Sequence, residues 1–204
     1  MIRSTYAAVM GAILSTGLMM ATAQAAPQSY EIEKPHTQIV FSVNHLGFSH
    51  SFGKFTDYSG TFVVDPDSVE SSNVDVTINT ASIDLDDQKW NDHLKNADFF
   101  NVEQFPTMTF KSTKVEKTGD KTANLTGDLT LLGVTKPVTL EVTLNGQGEH
   151  PFNKKQMIGF SAKGSLKRSD FGMGYGLPAV GDDVTLMIEV EGIRQDAAAP
   201  VASE

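Results

Sequence analysis

Five histidines and the Arg168-x-Asp170 pair are the side chains of this chain best suited, by type, to chemistry. His36, His45, His50, His93 and His150 carry imidazoles able to hold a metal or move a proton near neutral pH. A zinc site on one helix needs two of them four residues apart, as in His-Glu-x-x-His, and no pair has that spacing. His45 and His50 are an odd number of residues apart, so on a regular strand they face opposite sides. The spacing points to no metal and no cofactor. Hydrolytic chemistry is equally unsupported: there is no cysteine, no Gly-x-Ser-x-Gly elbow, and the serines are scattered.

Arg168 and Asp170 share even parity with Ile158, Phe160, Ala162 and Leu166, so on an unbroken strand they point to the apolar side. His45 shares parity with Ile39, Phe41 and Val43. His45, Arg168 and Asp170 are therefore candidates for a polar cluster that orients a ligand headgroup. The plainer alternative is an Arg–Asp pair, or a strand end where both reach water, since buried charges need partners. Ser169–Asp183 carries Gly172, Gly174 and Gly176, superficially a phosphate-binding run. No helix pattern follows it and its flanks are acidic, so it reads as a flap with Phe171, Met173 and Tyr175 beneath it.

The elements that must position these groups are strands. Ile39, Phe41 and Val43 alternate with Val40, Ser42 and Asn44, and polar residues alternate with Val74, Val76 and Ile78, then with Met108 and Phe110. The same period two continues through Leu125–Leu131, Val138–Leu144, Ile158–Leu166 and Val184–Val190. Turn residues separate them at Pro66-Asp67, Thr118-Gly119-Asp120, Gly133-Val134 and Asn145-Gly146. About eight strands result, with a bend or bulge near Pro35 or Gly53. The exception is Asp87–Phe110, where Trp90, Leu94 and Ala97 form one stripe of a short helix. Asp84, Asp86 and Asp87 stand at its start, and Pro106 bars any helix from the next strand. Such a helix, followed by Phe99, Phe100 and Phe105, must lie on apolar surface to be stable. The fold class is all-β with one domain, and the alternation alone admits a sandwich or a barrel, filled or hollow.

The first 25 residues read as a targeting leader: Arg3, an apolar run from Ala7 to Ala21, and Ala23-Gln24-Ala25 before cleavage at Ala25/Ala26. The run is shorter than the ~20 residues a span needs. Periplasmic localisation is the expectation, and the absence of cysteine excludes both an acyl anchor and a disulfide. Removing Arg3 from the 16 basic residues leaves 15 against 25 acidic ones, a net charge of −10. That charge repels phosphate backbones, so no nucleic-acid partner is expected. The domain is expected over 26–194 and a flexible tail over 195–204, where AAAPVASE has no core pattern.

Beyond these patterns the chain resembles the YceI family of secreted lipid-binding proteins. The resemblance is carried by His36–Val43 (HTQIVFSV) with His45-Leu46, Gly53-Lys54-Phe55 and Gly60. It continues through Asp92–Phe100 (DHLKNADFF), Phe105–Phe110 (FPTMTF), Gly127–Val138 (GDLTLLGVTKPV) and Arg168–Gly172 (RSDFG). Phe105 stands where Tyr is usual and Asn96 where Ser is common, both preserving size or polarity. The resemblance implies a lipocalin-like antiparallel β-barrel whose apolar pore holds a polyisoprenoid or similar long-chain amphiphile. Combined with the alternation, it assigns the lining to Phe41, Val43, Val76, Ile78, Met108, Phe110, Leu129, Leu131, Ile158 and Phe160. Trp90, Leu94, Phe99 and Phe100 would close one end. The expected activity is binding without catalysis, with passing membrane contact and a homodimer both compatible with it. The alternatives are an enzyme centred on His45, Arg168 and Asp170, or a solid barrel that binds partners.

Overall fold

The computed structural model describes residues 26–195. The expected leader over 1–25 lies outside the described residues, as does all of the expected tail except Gln195. Alternation becomes β1 (Gln28–His45), β2 (Ser49–Phe55), β3 (Tyr58–Val64), β4 (Asn73–Asn79) and a two-residue β5 (Ile83–Asp84). Helix α1 (Gln88–Lys95) follows, then β6 (Thr107–Lys117), β7 (Thr122–Leu131), β8 (Val134–Glu149), β9 (Gln156–Lys167) and β10 (Val180–Arg194). Every pairing is antiparallel, and the ladder runs β10-β9-β8-β7-β6-β4-β3-β1 before β1 closes back on β10. Eight strands thus form a closed barrel, which leaves no free edge along most of its height.

β1 is longer than the strands expected on either side of Pro35, because the chain runs through that proline in a bulge. Glu33 pairs with Glu191, and the next partners are Gln38 and Glu189. The lower half of β1 pairs with β3 through Gln28–Glu31, and its upper half with β2 through Ile39–His45. β2 and β3 therefore act as a single strand broken at Thr56-Asp57, and β5 pairs with the outer side of β2. Asn145-Gly146, expected as a turn, lies inside β8, where the register shifts between Leu144 and Gly146. A bulge absorbs the glycine and the strand continues to Glu149. The β7–β8 hairpin, expected at Gly133-Val134, turns one residue earlier on Leu132-Gly133, both with positive φ (52° and 74°), as a two-residue primed turn requires.

The β4–β6 ladder stops at Asn79 and Thr107, so above it the wall opens beside β5. Helix α1 and the segment to Pro106 fill that gap. Asp87 caps α1, its side chain accepting from the Trp90 amide at 3.0 Å, and the helix ends at Lys95. Ala97 lies beyond the helix and is exposed, so the expected stripe is shorter than Trp90–Ala97. Asn91 ties α1 to the edge: its Nδ2 donates to Asp84 Oδ1 at 3.0 Å and its Oδ1 accepts from the Leu85 amide at 2.8 Å. Buried Thr80 receives the far end, with its hydroxyl donating to Phe105 O (2.7 Å) and its amide to Pro106 O (3.0 Å). Among the described residues no helix is long and apolar enough to cross a membrane.

Close strand packing makes Gly60 obligatory. A Cβ on Gly60 would sit 2.5 Å from Asp75 O and 3.0 Å from the Val76 Cα. Those are backbone atoms held in the β3–β4 ladder and cannot move aside. Gly60→Ala should destabilise the barrel by ~1–3 kcal/mol, as overpacking does; a urea midpoint equal to wild type would refute the rigidity of this pair.

Candidate binding site: the barrel cavity

Inward residues of the strands do not fill the barrel. They enclose a cavity of about 560 Å³, in the range of small-molecule sites. All fourteen residues expected to line or close a pore lie on it, from Phe41 and Val43 on β1 to Ile158 and Phe160 on β9. Val76 and Ile78 contribute from β4, Met108 and Phe110 from β6, Leu129 and Leu131 from β7. Phe55, Phe62, Leu140, Val142, Leu186 and Ile188 line it too. The same alternation marks Leu140, Val142, Leu186 and Ile188.

The cavity spans the barrel's length. Ile158 to Arg168 covers about ten residues at ~3.3 Å each, inclined ~40° to the axis, or roughly 25 Å along it. At one end lie the β1–β2 turn, α1 and the β9–β10 connection. Trp90, Leu94, Phe99 and Phe100 reach the cavity from α1 and the turn after it. Aromatic rings at this end make edge contacts: His45–Trp90 at 5.9 Å, His93–Phe99 at 5.0 Å, Phe99–Tyr175 at 5.4 Å and Phe100–Phe55 at 5.5 Å. Trp90 remains 48% exposed while lining the cavity. At the opposite end Lys117, Asp120, Lys121 and Thr122 are exposed and line it as well, so the cavity meets solvent at the β6–β7 turn.

The three polar candidates are not brought together. His45 is half-buried on the cavity wall, edge-on to Trp90. Arg168 is buried at 4% exposure and also lines the cavity. Asp170 does not: β9 ends at Lys167, the next four residues form a 3-10 turn, and Asp170 points to solvent. Period-two parity fails once the strand stops, which removes Asp170 from the site. Arg168 is spoken for by backbone. Its Nε donates to Gly181 O (2.7 Å), Nη1 to Met173 O (3.0 Å) and Tyr175 O (2.8 Å), and Nη2 to Val180 O (2.9 Å). Burial pulls the guanidinium pKa down and nearby Asp182 opposes this, yet an arginine stays charged. Asp182 is held below the usual carboxylate range by the Ser169 amide and then its hydroxyl. The glycine-rich segment is thus a latched cover rather than a loose flap, with Phe171 and Met173 buried beneath it and Tyr175 half exposed.

Residues 30–192 match the YceI-like domain. The chain belongs to the YceI family. Protein YceI of Escherichia coli O157:H7 is 43% identical over 180 residues, covering 87% of this chain and 93% of that one. The Campylobacter jejuni YceI crystal structure superposes with a TM-score of 0.69 at 37% identity, over 75% of this chain and 90% of the other. BcnA of Burkholderia cenocepacia gives 0.71 at 26%, over 78% and 98%. A polyisoprenoid-binding domain from Saccharophagus degradans shares the fold at 11% identity, with a TM-score of 0.63 over 81% and 98%. A YceI barrel with an open apolar cavity is the arrangement of a binding protein.

Proposed function

We propose that this YceI protein is a non-catalytic carrier, working in the periplasm, for a polyisoprenoid or similar long-chain amphiphile. The observation that carries the reading is the cavity itself: roughly 25 Å long, apolar along its walls, and met by solvent at its end. A chain fits this shape better than a compact ligand. Burying a dozen CH₂ groups at ~0.8 kcal/mol each is worth roughly 10 kcal/mol, against association costs of ~4–15 kcal/mol. Long chains should therefore bind and short ones should not. The Saccharophagus domain's description as polyisoprenoid-binding is consistent with this choice. Of the three groups named for the enzyme alternative, His45 and Arg168 line the cavity and Asp170 is exposed in the turn after β9. Exposed Leu46, Phe48 and Trp90 at the α1 end suit brief contact with a membrane during loading, while the acidic surface opposes lasting adhesion to anionic lipid.

Organic extraction and mass spectrometry of the protein purified from its native envelope test the proposal. A long-chain lipid near one per protein is the expected result. Protein that emerges folded and empty, and that takes up no isoprenoid alcohol on incubation, would refute the carrier reading.

A further inference from the structure

On the outer wall of the barrel, away from the pore, two carboxylates face each other. Glu33 of β1 is the direct cross-strand partner of Glu191 of β10. Like charges in that position are destabilising. None of the lysine ion pairs among the described residues involves either. What the fold supplies is an imidazole. The β1 bulge turns His36 back beside them, with Nδ1 3.0 Å from Glu33 Oε2. One ligand atom from each of Glu33, His36 and Glu191 lies within 4.8 Å of the other two.

The bulge that creates this grouping is firmly pinned. Buried Thr37 bridges it to the opposite strand, its hydroxyl accepting from the Glu191 amide at 3.1 Å and donating to Glu191 O at 3.5 Å. On the inner side the Tyr58 hydroxyl donates to the carbonyls of Thr37 and Lys34. The approach is open: Glu191 pairs with Gly159 on β9, so no side chain there covers it. His36 and Glu191 line a groove of about 440 Å³ that also holds Gly146, Gly148, Gly159 and His150. His150 accepts two backbone N–H groups at Nδ1, from Phe152 and Asn153, each at 3.3 Å.

We propose that Glu33, His36 and Glu191 bind a divalent transition-metal ion of the zinc type on the outer face of the barrel. One imidazole and two carboxylates are a donor set zinc accepts, with solvent completing a tetrahedral shell. The set is poor for calcium or magnesium, which call for more oxygen ligands, and for copper(I), which prefers sulfur. The ion would neutralise the opposed carboxylates and clamp β1 to β10 where the bulge interrupts their ladder. It stands on the far side of the wall from the pore and is independent of the lipid reading.

Calorimetric titration of EDTA-stripped mature protein with zinc chloride near neutral pH provides the test. One zinc per chain is expected. His36→Gln and Glu191→Gln should each weaken binding by roughly tenfold or more, since even outer-shell partners of a metal are worth that much. His93→Gln, on α1, should leave binding at the wild-type level. If a variant fails to fold, cobalt(II) absorption of wild type, bleached by zinc, with the His36 ring resonances shifting, carries the same information. Absence of saturable binding, unchanged affinity in both variants, or displacement by equimolar calcium would overturn the site and leave only a histidine held between two carboxylates.

Discussion

Phe160→Arg should abolish lipid binding while leaving a folded barrel. Phe160 stands on the cavity wall with Leu144 and Val190 as cross-strand partners, and its ring meets Phe62 edge-on at 6.0 Å. A guanidinium there would have none of the free carbonyls that surround Arg168, because the neighbouring ones are committed to the ladders. A lipid entering the cavity would have to strip water from that charge, at a cost of several kcal/mol. Even ~3 kcal/mol lowers affinity roughly 100-fold. The fold should lose less, about 2–3 kcal/mol, because the long side chain can lie along the cavity and keep its head wet. Displacement of a fluorescent long-chain probe reads the binding and urea unfolding reads the fold. Lys163→Glu, on the outer face of the same strand, should change neither strongly. Wild-type affinity in Phe160→Arg would mean that the lipid does not occupy this pore.

The barrel and its lining are legible in the sequence because both rest on one local rule. Side chains two apart on a strand share a face, so Phe41 with Val43, or Leu129 with Leu131, can be assigned inward without knowing any partner strand. The rule fails where a strand stops or bulges. Counting from Phe160 places Asp170 inward, but the chain leaves β9 after Lys167. Asn145-Gly146 has turn composition, yet its strand continues because β9 pairs on both sides of the bulge. The Glu33–His36–Glu191 grouping is invisible to a search over histidine spacings. Its members meet only through β1–β10 closure, a pairing between the two ends of the domain. Barrel closure is a tertiary event, and no periodicity within one strand encodes it.

Arg168→Met should cost the fold more than either Gly60→Ala or Phe160→Arg. The side chain is almost fully buried and makes four hydrogen bonds, to the carbonyls of Met173 and Tyr175 in the β9–β10 connection and of Val180 and Gly181 at the start of β10. That connection is long and irregular, and one guanidinium gathers its backbone against the barrel end. Methionine matches the apolar stem and offers no donors. Buried acceptors left unpaired cost ~1–3 kcal/mol each, and charge-assisted bonds are worth more than neutral ones. Some carbonyls would turn out to water as the cover loosens, so the sum is not simply four times that. A net loss of about 3–5 kcal/mol is expected, lowering Tm by roughly 6–20 °C for a domain of this size. Arg168→Lys should rescue little, because a compact ammonium with three donors cannot reach carbonyls spread around a planar fork. Hydrogen exchange separates the local cause from general weakening. The Leu46 amide, which donates to Ala179 O at 3.0 Å, should lose protection in the variant well before amides of the β7–β8 ladder. Equal loss across the barrel would show that Arg168 supports the core rather than the cover. If the cover also retains the lipid, ligand release should quicken in the same variant, tying the stability of one buried cation to the time a guest spends in the pore.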